Sequence, residues 1–189
     1  MAMAGKVEIN GGRRGRFWRM APWAIAVLLW LLPLLAMQFT DEVNWDVTDF
    51  TVFGTMLFGA CGAWELAARM TSNTEYRAAV GIALAASFLL IWINLAVGII
   101  GTEDNPANLM YGGVLAVGLI GAVVARFQPR GMVRALIAMA LTQASVAVIA
   151  LIGGLGSTGA SMVLAGFFAA LWLLSALLFR KAARAQTSA

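Results

Sequence analysis

Residues 132–153 read MVRALIAMALTQASVAVIALIG, and residues 160–179 read ASMVLAGFFAALWLLSALLF. The segment Gly153-Gly-Leu-Gly-Ser-Thr-Gly159 joins them. Each run has the roughly 20 residues that a helix needs to cross the hydrocarbon of a bilayer. A backbone in hydrocarbon must satisfy its own polar groups, which restricts such runs to helices or closed barrels, and their length and Ala/Leu content select helices. Arg126, Arg130 and Arg134 stand at the start of the pair, Arg180, Lys181 and Arg184 stand after it, and no cation stands in the connection. The pair reads as a transmembrane hairpin with both ends on the cation-rich side.

Four further runs extend the pattern toward the N-terminus, at about 18–39, 49–68, 78–101 and 109–127. The expectation is an all-α integral membrane bundle of six spans. Of the thirteen lysines and arginines, five precede the first span (Lys6, Arg13, Arg14, Arg16 and Arg19 at its start) and two, Arg69 and Arg77, flank the second connection. The remaining six bracket the hairpin just quoted. The first, third and fifth connections hold none. Cations collect on the cytoplasmic side of membrane proteins, so both termini are expected there. Residues 1–16 read as a disordered basic N-terminus and 181–189 as a cytoplasmic tail, with a single transmembrane domain over 17–180. The first run is read as a retained helix, because no small-residue cleavage site follows it.

Composition agrees. Of 189 residues, 61% are apolar and 12% charged, against about 25% charged in a soluble domain. Mean hydropathy is +0.85. The net charge of +4 is spread over the connections and is no nucleic-acid signal. There is no histidine and only one cysteine, Cys61. This excludes histidine-ligated haem, histidine-containing zinc sites, Ser-His and Cys-His dyads and any intramolecular disulfide. No cofactor is expected, although smooth helix faces can seat a lipid.

Small residues four apart, Gly59/Ala63, Gly118/Ala122, Ala140/Ala144 and Gly166/Ala170, read as helix-packing faces. The pair Arg69/Arg77 recurs 57 positions later as Arg126/Arg134. A duplicated hairpin explains this, and so does chance among arginine-flanked apolar runs.

Polar groups inside the runs are the ligand or pathway candidates. Gln143, with Thr142 and Ser145, falls mid-way along the fifth span; Asn94 and Ser87 fall in the third. Amides in hydrocarbon need partners, so these read as helix-to-helix glue or as a polar path. Glu65, one turn before Arg69, reads as an interfacial ion pair or as a cytoplasmic gate.

The outer connections are acidic: Asp41, Glu42, Asp46 and Asp49 in the first, Glu103 and Asp104 in the second. In the second, Gly101 is a helix stop, Asn105 before Pro106 a turn signal, and Asn108 a cap for the fourth helix. These carboxylates with Asn105 and Asn108 form a candidate outer face for a cation or a partner. The stretch Asn94–Tyr111, with the approach Trp45–Phe50, resembles multi-pass inner-membrane proteins of bacteria. The resemblance covers roughly residues 40–130 and rests on no firm motif. It implies a bacterial inner-membrane location and carries no activity, cofactor or site residue.

Three functions are weighed. A non-enzymatic accessory or scaffold subunit of a membrane assembly fits the short loops and the acidic outer face. A small oligomeric transporter or channel fits six spans with a path near Asn94 and Gln143. An intramembrane enzyme would have to work with outer carboxylates and a metal, without histidine or a recognisable motif. The first is the leading reading, with the bilayer, other membrane subunits or further copies of the chain as partners.

Overall fold

A computed structural model describes residues 9–156 and 159–187 of the chain. Among these residues the fold is all-helical, without strands. The helices are α1 (Ile9–Ala36), α2 (Val47–Met70), α3 (Thr74–Ala96), α4 (Met110–Val124), α5 (Pro129–Ile152) and α6 (Gly159–Thr187). A short 3-10 turn, Pro106–Leu109, leads into α4. Five stretches are long and apolar enough to cross a membrane: α2, α3, the 3-10 turn with α4, α5 and α6. The apolar part of α1, Met20–Ala36, is shorter. Residues 1–8 of the expected disordered N-terminus lie outside the described residues, and from Ile9 the chain is helix. Ser188 and Ala189 of the tail also lie outside them, and before them α6 continues through Lys181 to Thr187.

The chain divides into two units, one up to Leu66 and one from Ala67 onward. The first unit pairs α1 with most of α2 through aromatic rings. Trp30 meets Phe50 and Phe58 edge-on, and Trp23 stacks on Phe58. Trp45 lies edge-on to Phe50 and Phe53. The Trp30 indole Nε1 donates to the Phe50 carbonyl at 2.8 Å. Gly54 admits this ring, since a Cβ there would stand 2.7 Å from Trp30 Nε1. A buried indole N–H needs an acceptor, and here a helix carbonyl supplies it.

In the second unit α6 packs against both α3 and α5, and α5 packs against α4, whereas the consecutive helices α3 and α4 touch little. The pattern along α6 accounts for its central place. Its buried residues Ser161, Ala165, Phe168, Trp172, Ser175, Phe179 and Ala182 recur at alternating steps of four and three. That spacing keeps one seam of a helix facing its neighbours. On α3 the facing residues include Ala79 and Ala86, both fully buried, so α6 approaches the backbone. Ser175 Oγ donates to the Ala79 carbonyl at 2.8 Å. On α4, a Cβ at Gly121 would stand 2.6 Å from Ala135 Cβ of α5. Gly118 and Ala122 thus sit in a close helix contact, as the small-residue spacing predicts. Gly166 and Ala170 instead face outward.

The helix ends show how the sequence stops each element. Asn73 caps α3 by accepting from Tyr76 N at 2.9 Å. Arg77 closes the end of α2, donating from Nε to the Thr71 carbonyl at 2.9 Å and through its guanidinium to the Ala68 carbonyl. This arginine thereby satisfies orphan carbonyls at the helix end. α3 ends at Ala96, five residues before the expected stop at Gly101. Gly98 has a φ of +69°, and a Cβ there would lie 2.5 Å from the Thr102 carbonyl group. The break therefore comes at Gly98, and Ile99 and Ile100 belong to a buried loop.

α4 and α5 terminate with the same bond pattern. Phe127 N bonds the Ala122 carbonyl and Arg126 N the Val123 carbonyl; Leu155 N bonds the Ala150 carbonyl and Gly154 N the Leu151 carbonyl. This closure needs a left-handed residue. α5 uses Gly154 at φ +60°, whereas α4 uses Arg126 at φ +48° followed by Phe127 at +56°. The Phe127 carbonyl is held by the Tyr76 hydroxyl at 2.8 Å. Left-handed backbone costs a side-chain-bearing residue about 1–2 kcal/mol, and glycine's greater unfolded freedom offsets about 0.4–1 kcal/mol of any relief. Arg126→Gly is therefore expected to stabilise by about 1 kcal/mol, a rise of about 2–4 °C in melting temperature. Thermal unfolding in detergent beside Arg126→Ala, which keeps the strain, checks this.

Candidate functional site

Gln143 lies in the middle of α5 and is fully buried. Neither its Oε1 nor its Nε2 has a hydrogen-bond partner. The indole Nε1 of Trp172, fully buried on α6, is likewise unpartnered. The apolar cluster of the unit supplies the surroundings, including Leu136, Met139, Ala140 and Val146 of α5. The neighbouring hydroxyls fold back on their own helix: Thr142 Oγ1 donates to the Ala138 carbonyl and Ser145 Oγ to the Leu141 carbonyl, both at 2.9 Å. Ser87 is partly buried on α3.

Asn94 belongs to a different feature. Its Nδ2 donates at 3.2 Å to the carbonyl of Asn108, and its Oδ1 is buried without a partner. Asn108 organises the whole α3–α4 loop. Its Oδ1 accepts from Ile99 N at 3.0 Å and Ile100 N at 2.9 Å. Its Nδ2 donates to the carbonyls of Ile100 at 3.3 Å and Thr102 at 2.7 Å. Asn105 Oδ1 caps the 3-10 turn by accepting from Ala107 N at 3.0 Å, and its Nδ2 donates to the Leu155 carbonyl at 2.8 Å. The α3–α4 and α5–α6 connections are tied together by that last bond. Asn108 is a buried loop anchor, where a cap of α4 was expected, and both amides are committed to backbone.

The acids are divided between the units. In the first, Asp46 Oδ1 accepts from Thr48 N at 2.7 Å and Asp49 N at 3.0 Å, and Asp49 Oδ2 accepts from Asp46 N at 2.9 Å. This is a reciprocal capping box on α2, favoured further by the positive end of the helix. Asp41 and Glu42 are exposed in the same loop, and Glu103 and Asp104 are exposed in the second unit. Among the described residues no three acids, cysteines or histidines converge on a point that could hold a metal ion. Glu65 Oε2 accepts from the Trp23 indole at 2.7 Å, so this carboxylate joins α2 to α1.

One cluster was not singled out from the sequence. Arg130 and Arg134 on α5 and Arg180 and Arg184 on α6 line a cavity of about 310 Å³ with Val133 and Ala183. A second recess of about 290 Å³ shares Arg130 and Ala183 and adds Gln128, Pro129 and Gln186. The signal was present as two like-charged i, i+4 pairs at the two ends of an antiparallel hairpin.

No family model, curated protein or solved structure matches the chain. Gln143 is buried in the core, Thr142 and Ser145 bond their own helix, and Asn94 bonds the α3–α4 loop.

Proposed function

We propose that the chain is a non-enzymatic membrane protein of six spans, with both termini on the cytoplasmic side of a bacterial inner membrane. It acts as an accessory or scaffold subunit of a larger membrane assembly. The observation that carries this reading is the closure of the bundle around Gln143. The one amide at mid-span is packed among apolar side chains, where a conducting path would leave it lined by water or substrate. Outward-facing Gly166 and Ala170 support it further, since a small-residue face lets a helix of another subunit approach closely. The exposed pairs Asp41/Glu42 in one unit and Glu103/Asp104 in the other each suit a basic protein surface better than a bound cation, because among the described residues no group of three such ligands forms.

A transporter remains the second reading on one observation: Gln143 carries an unpartnered donor and acceptor that a substrate would meet if the helices parted. Extraction from native membranes in mild detergent, followed by native mass spectrometry, separates the two. Co-purifying polypeptides are expected, and Glu103→Gln with Asp104→Asn should release them. A homo-oligomer that carries flux sensitive to Gln143→Leu would overturn the subunit assignment.

A further inference from the structure

The helix α4 is by itself too short for the membrane it is read as crossing. Its 15 residues, rising about 1.5 Å each, cover about 22 Å of the roughly 30 Å of hydrocarbon. Two close pairs fix its register against α5. A Cβ at Gly118 would overlap the Met139 sulfur, and one at Gly121 would stand 2.6 Å from Ala135 Cβ. Carried along the antiparallel pair, that register sets Met110, the first residue of α4, level with Val146 and Ala147. From there α5 runs on to Ile152, about 8 Å further at the helical rise.

The α3–α4 connection fills that gap. Ile99 and Ile100 lie in the same apolar cluster as Val146 and Ala150, with Leu155 packed against it. Asn105 Nδ2 reaches the Leu155 carbonyl at 2.8 Å. The connection thus stands beside the last turns of α5. At this level α5 turns Val148, Ile149, Leu151 and Ile152 outward, and the connection turns out Val97 and Leu109, 59% and 79% exposed. The apolar run of sequence also continues past the end of α3 through Ile100. Non-helical backbone is tolerated at membrane depth only where protein covers it and meets its hydrogen bonds. Here Asn108, itself buried, serves Ile99 N, Ile100 N and the carbonyls of Ile100 and Thr102. Asn105 serves Ala107 N, and the backbone N–H groups of Asn105 and Asn108 bond the carbonyls of Thr102 and Asn105. The exposed carboxylates of Glu103 and Asp104 set the upper limit, because a charge in hydrocarbon is costly.

We propose that the α3–α4 connection, residues 97–109, is a re-entrant segment of the membrane domain. Lipid acyl chains of the leaflet on its side cover Val97 and Leu109, and Thr102–Asp104 form a tip in the headgroup layer. The segment completes the span that α4 begins, and the two asparagines supply the hydrogen bonds that water supplies to an ordinary loop. The inference rests on the reading that these helices lie in a bilayer.

The test uses the full chain carrying Cys61→Ser, reconstituted in phosphatidylcholine vesicles. Single nitroxide labels are attached in the variants Val97→Cys, Leu109→Cys and Asp104→Cys, with the outward, mid-span Leu141→Cys as reference. Electron paramagnetic resonance reads collisions with oxygen, which concentrates in hydrocarbon, and with a water-soluble nickel chelate. Oxygen collisions should exceed nickel collisions in Val97→Cys and Leu109→Cys, as in Leu141→Cys, and the ratio should invert in Asp104→Cys. Nickel-dominated collisions in Val97→Cys and Leu109→Cys, with Leu141→Cys still dominated by oxygen, would overturn the proposal. The bilayer would then be thinned to the length of α4 and the connection would lie in water. If one of the two variants does not fold, the other is held to the same criterion. Nickel-dominated collisions in Leu141→Cys as well would instead sink the bilayer reading itself.

Discussion

Asn108→Ala is expected to destabilise the protein by about 2–5 kcal/mol, a large share of the ~5–15 kcal/mol that holds a typical domain folded. The side chain is 4% exposed and its one oxygen serves two backbone N–H groups, those of Ile99 and Ile100, which are themselves 3% and 1% exposed. Alanine leaves both donors buried and unpaired, at about 1–3 kcal/mol each. The carbonyls of Ile100 and Thr102 lose a donor as well. With Ile99 and Ile100 buried, water can replace these bonds only if the packing gives way, so the segment 97–109 should open. Asn108→Asp separates the contributions, since it keeps the acceptor and removes the two donor bonds. Unfolding in detergent gives the free energy, and amide exchange at Ile99 and Ile100 gives the location. An effect under about 0.5 kcal/mol, the range of an ordinary surface substitution, would contradict the role assigned to Asn108.

Gln143→Leu carries the opposite sign. Replacing a core amide usually costs stability because its partners are stranded, but Gln143 has none. Its burial costs about 1–3 kcal/mol on protein-based scales, and leucine fills nearly the same volume without that cost. The variant should therefore be more stable by about 1–3 kcal/mol. Trp172→Phe removes the other unpartnered donor, but it leaves a void where the larger ring stood, so its net change should be near zero. A loss of stability in Gln143→Leu would mean that the amide has a partner in the native membrane, which is what a transport path requires.

The two sites differ in how far the sequence reveals them. The apolar runs, the alternation of cations and the small-residue contact of Gly118 with α5 follow from residue type and spacing, because a bilayer leaves few alternatives to helix. The seam of α6 is also legible, since its three-four spacing is local. The loop at 97–109 is not. Ile99-Ile100 has the same character as the helix before it, and the turn at Gly98 together with the Asn108 side chain, eight and nine residues away, decides that the pair is buried loop. The acids of the α1–α2 loop illustrate the same limit: Asp46 and Asp49 look like two members of an acidic patch, yet their oxygens are bound to the first turn of α2. Ser175 looks like a lone hydroxyl in an apolar run until α6 is laid against the Ala79 carbonyl. The arginine recess is intermediate. Each i, i+4 pair is visible on its helix, but the hairpin geometry brings the two pairs to one cavity.

The most direct test of the account is the side of the membrane on which the ends of α6 lie. With Cys61 replaced by serine, single cysteines are introduced by Gly156→Cys, in the connection before α6, and by Gln186→Cys, near its end. Intact cells are treated with a membrane-impermeant maleimide before and after permeabilisation. The account predicts that the Gly156→Cys variant is labelled in intact cells and the Gln186→Cys variant only after permeabilisation. Labelling of Gln186→Cys from outside, or of both from the same side, would contradict it.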